Sequence, residues 1–425
     1  MLKGQFPVEK FASLRTPFYY YDLPLLRRTL DKIRECIEPY PQFHVHYAVK
    51  ANFNGKILQE ISRCGFGADC VSGGEIRAAL QNGFAPESIV YAGVGKSDEE
   101  ILLALDAGIA RFNVESAAEL EVINELALSR GVVAPVSLRV NPDIGAHTHA
   151  NITTGLAENK FGINYEQLPG VIELADSLPG VEYKGLHFHI GSQILEMDDF
   201  VALCNRINVL AEQILRQRRG RLVPAASSAA AVGYSSSAVG AAGVSGSGVA
   251  AGVAGAAASV LGDINVGGGL GINYYHPNHL DVAEFSQYFE TFARHLKLPE
   301  GTPVHFELGR SVVAPCGSLI SRVLYIKEGT TRRFAIIDAS MTELIRPALY
   351  KAYHRVENIS SYEPEEVYDV VGPVCESSDV FAKGVSIDKC HRGDFIAIRS
   401  AGAYGESMSS QYNCRPLPGC FFKED

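Results

Sequence analysis

"GADCVSGGEIRAALQNGFAPESIVYAGVGKSDEEILLALDAGIARFNV", residues 67–114, alternates short apolar runs with amphipathic segments. The runs at 67–71, 88–92 and 111–114 read as buried strands. Between them, "GEIRAALQNG" and "DEEILLALDAG" carry helical spacing. Ser72/Glu75 and Ser97/Glu100 form S-x-x-E capping boxes at the helix starts, and Gly83 and Gly108 fall where C-terminal caps belong. The same unit repeats outward in both directions. Further strands are expected at 45–50, 136–140, 184–189, 263–266 and 304–307, with a third capping box at Ser116/Glu119 and helix-ending glycines at Gly65 and Gly131. Eight β-then-α units predict an α/β fold, a closed (β/α)8 TIM-type barrel over residues 26–312. A doubly wound open sheet is the competing arrangement.

Beyond residue 312 the helical period fades. "SLISRVLYIKEG", "RFAIIDAS", "EEVYDVVGPVCES" and "DFIAIRSAGAYG" read as strands separated by turns. A C-terminal β-sandwich or barrel-like domain is expected over 313–425, joined by a strand from residues 1–25. Residues 222–262 carry no charge and are almost entirely Ala, Ser, Gly and Val. Glycine and serine break every apolar run there and no aromatic belt flanks it, so a surface insertion is expected rather than a membrane span.

The chain has 425 residues, 47% hydrophobic and 20% charged, which suits a globular protein with a sizeable core. A net charge of −10 argues against a nucleic-acid partner. Nine scattered cysteines with no C-x-x-C pair argue against a zinc ribbon or disulfide framework and for a reducing compartment. The first 22 residues lack the apolar core of a secretion signal, so a cytoplasmic protein is expected.

The expected strands run into "KAN", "DCVSGGE", "AGVGKS", "NVES", "RVNP", "HFHIGSQ", "NVGGGLG" and "ELGRS". Glycine-rich and ionisable residues thus gather at the carboxyl ends, where barrel enzymes build their sites. Lys50 ends the run "FHVHYAVK". Burial there favours a neutral amine, which makes it a Schiff-base candidate; the plainer reading is a lysine snorkelling at a strand end. Gly267, Gly268 and Gly269 let backbone N–H groups approach an anion, or simply make a tight turn. Glu307 is placed to hold a pyridine nitrogen protonated, or to pair with Arg310. His187 and His189 face the same way along a strand. An imidazole there can stack on a flat ring, and Ser192 can donate to a phosphate or orient a neighbour. A satisfied core histidine is the commoner outcome, and the same caution covers Asp69 and Arg139.

Taken together these residues suit pyridoxal 5′-phosphate. "YAVKAN", "HFHIGSQ", "GGGLGINY", "ELGRSVVA", "GPVCESSD" and "GAYGESMSSQYNCRP" resemble, in order, the motifs of the fold-type III pyridoxal-phosphate-dependent decarboxylases. "THANITTGLAENKFGI", residues 148–163, adds a further similar stretch. The resemblance spans the chain outside 222–262, with one departure: "ELGR" has leucine where the family usually has proline. It implies an alanine racemase-like two-domain architecture in which Lys50 anchors the cofactor, His189 stacks on its ring and Glu307 meets its nitrogen. Gly267–Gly269, Gly309 and Arg310 would hold the phosphate, with Ser192 beside them. Arg310, Arg346 and Tyr350 would bind substrate carboxylate, and Tyr404 would touch cofactor and substrate. Cys375 would donate a proton and Glu376 recognise the distal amino group, both from the partner subunit of a homodimer. No metal is called for. The implied activity is decarboxylation of meso-2,6-diaminopimelate to L-lysine. Two arginines suit a substrate with a carboxylate at each end. Carboxynorspermidine, D-ornithine or D-lysine are the alternative substrates. Alanine racemases oppose the ring nitrogen with arginine, unlike Glu307, and non-catalytic carriers lose the lysine or the proton donor.

Overall fold

The computed structural model describes residues 6–144, 160–222, 260–277 and 282–424. β1 (Phe18–Asp22) precedes a set of parallel strands: β2 (Phe43–Ala48), β3 (Gly67–Cys70), β4 (Ile89–Tyr91), β5 (Arg111–Val114) and β6 (Ala134–Asn141). The two-residue β7 (Ile163–Asn164) rides on β6, and β8 (Val181–His187), β9 (Asp263–Asn265) and β10 (Val304–Leu308) follow. Pairing of β5 with β6 and of β10 with β2 closes the ring. Eight parallel strands therefore form a barrel and not an open sheet.

Local chemistry sets the connecting helices. Ser72, Ser97 and Ser116 each accept a hydrogen bond from the backbone of the glutamate three residues on, and at Ser97 both halves of the capping box are present. Gly108 and Gly131 end their helices at φ 69° and 67°, the left-handed conformation glycine adopts without strain. On the outer face of β10, Phe306 packs among Phe43, Tyr288, Phe289 and Phe292 with ring centroids 4.9–5.7 Å away. Alternation along the strand then turns its neighbours His305 and Glu307 into the barrel.

Two polar layers fill that interior. In the lower one, Arg111 Nη2 meets Asp263 Oδ2 at 2.6 Å, and His305 lies 3.3 Å from the same oxygen. In the upper one, Asn113, Asn265 and His187 converge on Glu307. β5 and β9 are not neighbours in the ring, so these contacts cross its centre.

The second unit is an eight-stranded mixed sheet. It comprises β11 (Gly317–Glu328), β12 (Arg333–Ile337), β13 (Val356–Asn358), β14 (Glu365–Val371), β15 (Val380–Asp388), β16 (Phe395–Ile398) and β17 (Gly419–Lys423), with β1 completing it. β1 pairs antiparallel with β11 and parallel with β17, so a strand near the N-terminus is built into the C-terminal sheet. β13, β15 and β17 were not expected from sequence. β13 has three residues, and Lys383 and Gly384 interrupt the apolar pattern of β15.

The insertion at 222–262 lies outside the described residues except at its ends, as does "THANITTGLAEN". All nine cysteines are free. Among the described residues no helix is long and apolar enough to cross a membrane.

Candidate active site

β2 ends at Ala48, two residues earlier than the sequence predicts, because Val49–Ala51 wind into a single 3₁₀ turn. That turn carries Lys50 to the carboxyl end of the barrel, and the small residues around it have a purpose. A Cβ added to Gly309 would lie 3.0 Å from the Cβ of Ala48 and 3.1 Å from that of Ala51. Asn52 Nδ2 donates to Tyr21 Oη at 2.8 Å and to the Gly402 carbonyl at 2.9 Å. The Tyr404 backbone N–H donates to the Ala51 carbonyl at 2.8 Å, and Ser407 Oγ donates to that of Lys50 at 3.1 Å. The lysine turn is thus strapped down by the "GAYGES" loop of the second unit.

Lys50 lines a cavity of about 800 Å³ together with Arg139, His187, His189, Ser192, Glu307, Arg310, Arg346, Tyr350 and Tyr404. Its side chain is 40% exposed because it faces this space. Burial alone would lower the amine's pKa, as the sequence reading expects. Asp69 at 3.3 Å, with Tyr404, Glu307 and Glu75, outweighs burial and raises it. The expectation of a neutral amine is therefore corrected: in the chain by itself Lys50 is an ammonium. Burial, reinforced by the Glu307 charge, pushes Asp69 up despite Lys50.

Glu307 does not pair with Arg310. Its Oε2 is 3.0 Å from His187 Nε2, and its Oε1 accepts from Asn265 Nδ2 at 2.8 Å and Asn113 Nδ2 at 3.3 Å. Burial would push its pKa up, but His187, Lys50 and His189 outweigh that and hold it below the usual carboxylate range. An ionised carboxylate is therefore fixed inside the barrel. His189 lies close by, and burial, with Arg139 and Lys50, keeps its imidazole neutral. Its Nδ1 accepts from the Gly268 N–H at 3.3 Å.

The triple-glycine turn passes too close to its neighbours for side chains. A Cβ on Gly268 would fall 1.9 Å from the Glu307 carbonyl oxygen, and Gly267 has φ 72°. Ser192 takes up the orienting role, accepting from Arg310 Nη2 at 2.9 Å and Nε at 3.3 Å. The Arg310 guanidinium lies 4.9 Å from the centre of the Tyr404 ring. Arg139 is spoken for by Glu115 at 2.7 Å, a buried pair that leaves it a wall residue.

Cys375 and Glu376 are not among the residues lining this cavity. They follow β14, both exposed, in a turn held by Asp379, which accepts from the backbone of Met341 at 2.7 Å and Val374 at 2.9 Å. Tyr412 Oη donates to Glu376 Oε1 at 2.7 Å. Sequence reasoning missed Asp69 as the partner of Lys50, His187, Asn113 and Asn265 as the cradle of Glu307, and Tyr274 beside the arginines. A faint signal existed for the asparagines: each stands two residues after an ionisable residue of its own strand, on the same face.

Residues 26–218 match the family described as "Pyridoxal-dependent decarboxylase, pyridoxal binding domain". Diaminopimelate decarboxylase of Bacteroides thetaiotaomicron is 55% identical over 417 residues, covering 98% of each chain. That of Helicobacter pylori is 37% identical over 96% of this chain and 90% of its own. The crystal structure of the Helicobacter pylori enzyme complexed with L-lysine aligns over 98% of this chain and 94% of that one, at TM-score 0.83 and 35% identity. The M. jannaschii enzyme in co-complex with L-lysine aligns over 98% and 89%, at TM-score 0.81 and 31% identity. The cofactor is accordingly pyridoxal phosphate, and the cavity fits it: it is lined by an amine, an ionised carboxylate, a neutral imidazole and the two buried arginines Arg310 and Arg346. By sequence over its whole length and by structure, the chain belongs to the diaminopimelate decarboxylase family.

Proposed function

We propose that this cavity removes CO2 from the D-centre of meso-2,6-diaminopimelate and releases L-lysine. One observation carries the choice of substrate. Arg310 and Arg346 are 6% and 5% exposed, line the cavity, and meet no carboxylate among the described residues. Two buried cations without counter-ions call for an anionic ligand. Guanidinium groups bind carboxylates in bidentate fashion, and only a dicarboxylic substrate has one to spare after the other has left.

The residues divide the work as follows. Lys50 would hold pyridoxal phosphate covalently, and Asp69 at 3.3 Å favours the protonated form of its free amine. When bound, the cofactor supplies an electron sink for the electron pair left as CO2 departs. Glu307, held by His187 and the two asparagines, would supply the fixed negative charge that keeps the ring nitrogen protonated. His189 would pack on the ring as a neutral imidazole. Gly267, Gly268, Gly269 and Gly309 would hold the phosphate through their backbone, with the Gly267 and Gly268 N–H groups already steadied by Asn265 and His189, and Ser192 orients Arg310 from beside them. Arg310, Arg346 and Tyr350 bind the carboxylate of the L-centre, and Tyr404 closes the space between cofactor and substrate.

Cys375 returns a proton to the α-carbon, and Glu376 accepts the distal amino group. Both stand away from the cavity of their own chain, which supports a homodimer whose sites are shared across the interface. We assign residues 26–312 to the cofactor-binding barrel and 1–25 with 313–425 to the β-domain. Nine free cysteines support a reducing, cytoplasmic setting.

Purified chain supplied with pyridoxal phosphate and meso-2,6-diaminopimelate should yield L-lysine and CO2 in equal amounts. D-lysine, D-ornithine and carboxynorspermidine should be turned over with far lower kcat/KM. Equal kcat/KM across the set would overturn the assignment of substrate.

A further inference from the structure

Tyr274 closes the stretch that begins with the three glycines, and the residue is 8% exposed. Its hydroxyl oxygen accepts two hydrogen bonds, from Arg310 Nη1 and from Arg346 Nη1, both at 2.8 Å. One phenol oxygen therefore joins the two buried guanidinium groups. It does so across the two units of the fold, since Arg310 follows β10 and Arg346 lies beyond β12. The Arg346 guanidinium also lies 5.1 Å from the centre of the Tyr274 ring. His354 packs edge-on against that ring, with centroids 5.1 Å apart at 75°.

The remaining donors are unequally committed. Ser192 takes the Nε and Nη2 of Arg310. His354 Nδ1 donates to the Arg399 carbonyl at 2.8 Å, so its Nε2 lone pair accepts from Arg346 Nη1 at 2.9 Å. Both protons of that Nη1 are then used, one on Tyr274 and one on His354. The Nε and Nη2 of Arg346 meet no acceptor among the described residues. That edge is the one a carboxylate grips with two parallel bonds.

We propose that Tyr274 is a positioning residue that sets the spacing of Arg310 and Arg346, aims the free edge of Arg346, and so fixes affinity for the carboxylate at the non-reacting end of the substrate. The proposal rests on the reading of these two arginines as the carboxylate site. Like charges this close repel, and a shared acceptor holds them together without neutralising the charge the ligand needs.

L-lysine and cadaverine differ only by the carboxylate, so their affinities for the holoenzyme isolate its contribution. Tyr274→Phe keeps the ring against Arg346 and removes only the bridging oxygen. It should weaken L-lysine binding about tenfold, within the range for hydrogen bonds to charged groups, and leave cadaverine binding close to native. In turnover, KM for meso-2,6-diaminopimelate should rise by a similar factor with a smaller change in kcat. Arg346→Gln should erase the preference for L-lysine over cadaverine, and the double variant should lose little beyond Arg346→Gln alone, because the tyrosine acts through the arginine. His354→Asn, which removes the other acceptor of Arg346 Nη1, is the second variant and should shift L-lysine affinity in the same direction. If Arg346→Gln loses the preference while Tyr274→Phe and His354→Asn keep it, the proposal fails and the carboxylate reading stands. If Arg346→Gln keeps the preference, the carboxylate reading itself fails. Equal loss of both ligands in Tyr274→Phe would mark a packing role and also overturn the proposal.

Discussion

Arg111, Asp263 and His305 stand two residues before Asn113, Asn265 and Glu307 on β5, β9 and β10. The same three strands therefore build two polar layers, roughly 7 Å apart along each strand. In the lower layer the charges answer one another: Arg111 pairs with Asp263, His305 leans on the same carboxylate, and His46 Nε2 lies 2.9 Å from His305 Nδ1. Burial, with His305, pushes the His46 pKa down to about 3, and burial likewise lowers those of His305 and His44. In the upper layer the cations outnumber their partners, and Arg310 and Arg346 lack a counter-charge altogether among the described residues. Volume does not separate the two ends, because the lower layer borders a cavity of about 780 Å³, nearly the size of the upper one. Unmet partners do. A cluster whose charges pair with one another is structure, and one whose cations lack a counter-charge awaits a ligand.

The sharpest break between the layers should come from Lys50→Ala. It should lower turnover by a factor on the order of 10⁴ or more and remove the holoenzyme absorbance near roughly 420 nm, while the far-ultraviolet dichroism stays native. Glu307→Gln keeps the shape and the asparagine contacts but cannot hold a ring proton. It should cost about 10² to 10³ in kcat, as removal of a preorganised charge partner does, and steady-state kinetics would show it.

Acid titration sharpens the contrast from the other side. His46 is neutral in the fold, so the unfolded chain binds its proton first and stability falls as pH drops below about 6.5. The loss should reach on the order of 2 kcal/mol at pH 5 and continue toward pH 3, as urea midpoints would register. Glu307 behaves differently. Its depressed pKa adds stability above the unfolded value of about 4.5, which is lost only as pH falls through the folded value. His46→Gln should reduce the slope by one proton's share from about pH 6.5 down toward pH 3, leaving the remainder to His44, His189 and His305. Outside both layers, Ser97→Ala removes one capping box and should lower stability by about 1 kcal/mol with kcat unchanged.

Much of the barrel was legible because its strands are covered on both faces and its helices announce their ends. Ser97 with Glu100 and Gly108 bracket a helix in three letters, and the run at 304–307 lies wholly within β10. The second sheet was less so. β15 is interrupted by Lys383 and Gly384, and β17 finds its partner about 400 residues earlier in β1, a pairing no local pattern records. At the site, Lys50, Glu307 and the glycines could be read because each occupies a strand end. The protonation of Lys50 could not, because it depends on Asp69, a residue of the neighbouring strand whose position only the closed ring supplies. Tyr274 was invisible for the same reason: its two arginines lie 36 and 72 residues away in sequence.

The central claim is that Lys50 anchors pyridoxal phosphate within this cavity. Borohydride reduction of the holoenzyme followed by peptide mass mapping tests it most directly. The pyridoxyl mass should appear on the peptide containing Lys50 and on no other, and should vanish in Lys50→Ala. Label on another lysine, such as Lys96 behind β4, with Lys50 unmodified, would contradict it.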